Sequence, residues 1–101
     1  GEANHRSSIS STTSGAELYE NISSALKAGK PVTAGTPKRE GIEEPLHDHH
    51  GYAVIDAYER DGESFIKVYN PWGVNDTDRD MTVEVPVEKF INNFAYFAVA
   101  G

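Results

Sequence analysis

A chain of 101 residues makes one domain at most, and at this size about two-thirds of the unfolded surface can be buried, enough for a modest core but not for a two-lobed enzyme. Hydrophobic residues at 38% and charged residues at 25% give an ordinary globular balance, and a formal charge of -7 excludes the clustered Lys and Arg that nucleic acid and anionic membranes need. The chain has no apolar run near the ~20 residues that span a bilayer and no signal-peptide pattern, so it reads as soluble; with no cysteine it holds no disulfide, thiolate site or thiol nucleophile.

Residues 1–14 are Ser/Thr-rich with Ile9 as their only large apolar side chain, and they read as a flexible leader ahead of a folded unit at 15–101. Order begins where Ser14 and Glu17 form a capping-box pattern, followed by Leu18, Ile22 and Leu26 at helical spacing. This predicts an amphipathic helix over 16–28, stopped by Gly29 in a left-handed cap and by Pro31. A short strand over 31–35 follows, then a charged loop from Thr36 to His47 with no periodicity, expected at the surface.

The runs His50 to Tyr58 and Ser64 to Asn70 are rich in Tyr, Val, Ile and Phe, and Asp61-Gly62 between them is a hairpin signal. Pro71 ends the second run, residues 74–80 form a polar loop, and Met81 to Val85 alternate as a strand. Pro86 suits the first position of a helical turn over Val87 to Asn92, and Phe94 to Val99 give a last strand. The expected class is α+β, a small antiparallel sheet or partial barrel with one N-terminal helix and a short second helical turn.

The sharpest feature is the hairpin whose ends carry His50-Gly51-Tyr52-Ala53-Val54 and Asn70-Pro71-Trp72-Gly73. Over residues 16–100 this pattern resembles the C-terminal half of a calpain-type catalytic domain, within the papain-like fold: a histidine, a small residue, Tyr and a strand, paired with Asn-Pro-Trp-Gly. The resemblance implies that His50 is the catalytic imidazole, which activates a cysteine thiol as thiolate and later protonates the leaving amine. Asn70 is then the neutral partner that holds the ring in one tautomer, and Trp72 shields their hydrogen bond from water. A plain two-residue hairpin puts Ala53 opposite Asn70 and separates His50 from Asn70 by about three strand positions, roughly 10 Å. Sheet twist, a bulge, or a longer loop around residues 59–63 has to shift that register.

Other clusters are weaker. His47, Asp48, His49 and His50 are of zinc-binding type, but on one strand alternate residues face opposite ways, so no metal site is expected. Asp76, Asp78 and Asp80 open like a calcium loop, but Met81 stands at the glycine position and Val87 at the terminal glutamate position. Calcium therefore enters only through the resemblance, without a complete loop motif, and no cofactor is expected.

The resemblance thus implies the His/Asn half of a cysteine endopeptidase that is inactive alone and takes its nucleophile from a Cys-bearing N-terminal half, its other partner being a protein or peptide substrate. A non-catalytic binding module built on a peptidase lobe is the alternative.

Overall fold

The computed structural model describes residues 4–10, 12–38, 40–43, 46, 49–69 and 82–100. Its elements are β1 (Asn4–Ser8), α1 (Gly15–Lys27), β2 (Val32–Gly35), β3 (Gly51–Arg60), β4 (Glu63–Tyr69), β5 (Thr82–Pro86), α2 (Val87–Asn93) and β6 (Tyr96–Ala100). The strands form one six-stranded antiparallel sheet in the order β1-β6-β2-β3-β4-β5. The fold is therefore α+β, with both helices packed against strands of this sheet.

Helix α1 starts and stops where its capping chemistry dictates. The Ser14 side chain accepts from the Glu17 N–H, and Gly29 at φ +78° lets the Lys30 N–H reach back to the Ala25 carbonyl at 3.0 Å. Leu18, Ile22 and Ala25 are buried by the helix, and they meet Val32, Ala34, Tyr52, Val54, Ile66, Val68, Val85 and Phe97 from the sheet. Helix α2 adds Val87 and Phe90, and Phe94 just beyond it stacks on Phe90 at 4.2 Å between ring centroids. Pro86 takes the N-cap position rather than the first helical one, and Phe94 is the C-cap of α2 rather than the start of β6.

Part of the stretch expected as a flexible leader is a strand. Residues 4–8 pair with β6, and the Ile9 N–H donates to the Ala95 carbonyl at 2.8 Å while Ile9 packs against the core. A ladder is made by backbone groups, so a serine-rich segment joins a sheet edge with almost no apolar side chains.

The loop after β2 also departs from expectation, because it is not wholly at the surface. Leu46 is buried in the core, and the side chain of Asn93, 1% exposed, holds Glu43 from below. The Asn93 Oδ1 accepts from the Glu43 N–H at 2.8 Å, while its Nδ2 donates to Glu43 Oε2 and to the Lys89 carbonyl, both at 2.8 Å. A buried amide with its hydrogen bonds filled is a specific anchor, fixing the loop to the last turn of α2.

The β3–β4 hairpin turns at Asp61 (φ 54°) and Gly62 (φ 81°), the paired left-handed residues of a tight turn. From Arg60↔Glu63 to Asp56↔Lys67 the ladder is regular, and then Val54 pairs with Val68. Ile55 is thus the extra residue of a β-bulge. Ala53 consequently pairs with Tyr69 and not, as the plain hairpin predicts, with Asn70. The bulge also reverses the inward parity: Tyr52 and Val54 are buried before it, and Ala57 packs against the core after it.

Candidate functional site

His50 immediately precedes β3, one residue beyond the last β2–β3 pair, Gly35↔Gly51. Across from it, Thr36 continues the ladder with its side chain. The Thr36 N–H donates to the His50 carbonyl at 2.9 Å, the His50 N–H donates to Thr36 Oγ1 at 3.0 Å, and Thr36 Oγ1 donates to the same carbonyl at 3.3 Å. One buried hydroxyl thus serves as acceptor and donor to a single residue, which fixes the backbone that carries the imidazole.

The ring is supported from the core side. His50 meets Tyr52 edge-on at 4.9 Å, Tyr52 meets Phe94 edge-on at 5.5 Å, and Phe94 stacks on Phe90. Tyr52 is 2% exposed and Phe90 is completely buried, so a column of aromatic rings connects a half-buried imidazole to helix α2. The small residue after the histidine, Gly51, has open space where a Cβ would stand, so its size is not demanded by packing among the described residues.

His50 lines a groove of about 450 Å³ together with Arg6, Thr36, His49 and Tyr96. His49 is exposed and sits in the left-handed region at φ 49°, with its N–H donating to the Pro37 carbonyl at 3.0 Å. It therefore belongs to a turn, and the strand alternation expected to separate it from His50 does not govern it. His47 and Asp48 lie outside the described residues, as do Asn70, Trp72, Asp76, Asp78, Asp80 and Met81. Of the expected catalytic trio the structure thus describes His50. No group of three or more metal-type side chains occurs among the described residues.

Two walls of this groove were not evident in the sequence. Tyr96 pairs with Gly35 and its ring lies so close that an added Cβ on Gly35 would sit 2.4 Å from it. The Arg6 guanidinium lies over the Tyr96 ring, its Cζ 3.9 Å from the centroid. Ser8 is directly opposite Tyr96, so Arg6, two residues away, reaches the ring as a diagonal cross-strand neighbour. Only the pairing of β1 with β6, invisible to hydrophobic patterning, makes that contact.

A second groove, of about 530 Å³, lies by the turn end of the hairpin and is lined by Tyr19, Glu20, Glu59, Glu63 and Glu88. Nearby, the Glu84 carboxylate accepts from both Arg60 guanidinium nitrogens at 2.9 and 2.7 Å and from the Tyr58 hydroxyl. The Arg60 and Tyr58 hydrogen bonds hold the Glu84 carboxyl down to about 2. Desolvation and the same carboxylate push the Tyr58 hydroxyl up to about 12.

Compared with known proteins, the chain matches no protein-family model and no curated sequence. No helix among the described residues is long and apolar enough to cross a membrane.

Proposed function

We propose that this chain is the His/Asn-bearing half of a calpain-like cysteine endopeptidase, with the nucleophilic cysteine supplied by a Cys-bearing N-terminal half. The observation that carries the reading is the mounting of His50: a half-buried imidazole at a groove, its backbone clamped by Thr36 and its ring seated on Tyr52. Catalysis needs one imidazole orientation, and a solvated histidine does not require such support. In this reading His50 takes the thiol proton, pairs as imidazolium with the thiolate, and returns the proton to the leaving amine as the acyl-enzyme forms. Asn70 follows β4 directly in sequence and orients the ring, and Trp72 covers the pair. The chain alone is inactive because it has no cysteine.

The test joins this chain to the Cys-bearing half, the polypeptide encoded upstream being the first choice. We expect peptide hydrolysis that falls by at least about 10³-fold in His50→Ala and less in Asn70→Ala. In the same assembly, the pH midpoint for thiol alkylation should rise in His50→Ala, because the imidazolium that stabilises the thiolate is lost. An unchanged alkylation profile would sink the peptidase reading and leave the binding module.

A further inference from the structure

We infer that the groove beside His50 is a subsite for a carboxylate-bearing residue of a peptide, with Arg6 as its anion anchor; this extends the peptidase reading by naming a substrate class. Three observations converge. Arg6 has no carboxylate partner among the described residues, where the ion pair formed is Arg60 with Glu84. In a chain of net charge -7, the described lining of this groove contains Arg6 and two imidazoles and no carboxylate at all. Finally, the Arg6 head is already held over Tyr96, its Cζ 3.9 Å from the ring centroid, and Tyr96 is in turn seated on Gly35, where any side chain would displace it.

The chemistry selects a carboxylate. A guanidinium presents its N–H donors as a fixed fork that matches two carboxylate oxygens, and a head already held by a ring loses less entropy when the fork is engaged. An amide of the same shape offers one oxygen and no charge. A lysine in the peptide would meet Arg6 with like charge. The groove therefore discriminates glutamate from its neutral isostere by charge and geometry rather than by size.

The test uses the ¹⁵N-labelled chain titrated with three blocked peptides, acetyl-Ala-Ala-X-Ala-Ala-amide with X as Glu, Gln or Lys, followed through the amide signals of Arg6, Gly35, Tyr96 and His50. We expect the Glu peptide to bind about tenfold more tightly than the Gln peptide and the Lys peptide most weakly. Arg6→Gln should erase the Glu preference without changing Gln-peptide affinity, and about 0.5 M salt should compress it in the native chain. Gly35→Ala, which moves Tyr96 but keeps the cation, should weaken the preference; an otherwise unchanged spectrum shows that each variant is folded. Equal affinity for Glu and Gln, a Glu preference that survives Arg6→Gln, shifts confined to the Glu20–Glu88 groove, or no saturable binding would each overturn the subsite. The peptidase reading fails separately: if the assembled enzyme cleaves Glu and Gln substrates equally, the subsite falls and the peptidase stands. If assembly gives no turnover while the chain still binds Glu over Gln through Arg6, the peptidase falls and the subsite stands.

Discussion

The two ends of strand β3 are built on different physics. Before the bulge at Ile55, the strand faces the core with Tyr52 and Val54, and His50 is fixed by part-buried hydrogen bonds and ring contacts. Beyond it, Tyr58 and Arg60 turn to the other face, cover Phe65 at 5.8 and 4.7 Å, and meet Glu84 at the surface. Phe65 is buried yet stands apart from the main core cluster, so this outer patch is a separate small assembly. The charges differ too: imidazoles and Arg6 line one groove, glutamates the other. The His50 end thus sits where partial desolvation strengthens each contact, and the solvated end carries groups whose interactions water weakens.

The largest break in this contrast should come from removing Ile55. Its deletion leaves a ladder in which the same residues keep their inward faces, so the fold should survive, but the bend is lost. On the proposed peptidase reading, turnover by the two joined halves should drop by about 100-fold, since a misplacement of about 1 Å is enough for that. Unchanged turnover in a folded deletion variant would show that the bulge does not aim His50.

A smaller effect is expected from Thr36→Val, which keeps the shape but leaves the part-buried His50 N–H without its side-chain acceptor. The cost should be about 1–3 kcal/mol in urea unfolding, with turnover reduced more than stability predicts. Loss of stability alone would make Thr36 a structural residue and not a positioning one.

The smallest effect belongs to the outer patch and appears only as pH dependence. Glu84 is depressed from 4.5 to about 2, so its contribution is complete above the unfolded value and is lost as pH falls through the folded one. Tyr58 is raised from 10.0 to about 12, so its contribution is lost as pH rises through that range. Arg60→Gln should flatten the acid limb of a melting-temperature profile below about pH 5 while leaving turnover at neutral pH untouched. A change in turnover would mean that the two ends of β3 are coupled.

How much of this was legible in the sequence depended on which groups carried the signal. Ser14, Gly29, Pro31 and Asp61-Gly62 encode their conformations locally, so α1 and the hairpin were readable. Strand β1 was not, because its partners are backbone groups of a strand about ninety residues away. Asn93 and Thr36 resemble ordinary polar surface residues until burial gives each a set of long-range hydrogen bonds. The bulge was foreseen only as one of several ways to shift the register, since nothing in Val54-Ile55-Asp56 marks it. His50 was singled out by its motif, and the structure adds its groove and its hydrogen bonds to Thr36, whereas Arg6 and Tyr96 meet only through tertiary pairing.

The place of β1 at the end of the sheet also bears on which backbone edge is left open. Strand β6 reads Tyr-Phe-Ala-Val-Ala, uncharged and free of proline, the kind of segment that recruits another chain when its backbone edge is open. With β1 in place, β6 is instead paired along both of its backbone edges, with β1 on one side and β2 on the other. Residues with almost no hydrophobic stake in the core thus act as a selvedge, closing the backbone edge of an apolar strand by hydrogen bonding alone.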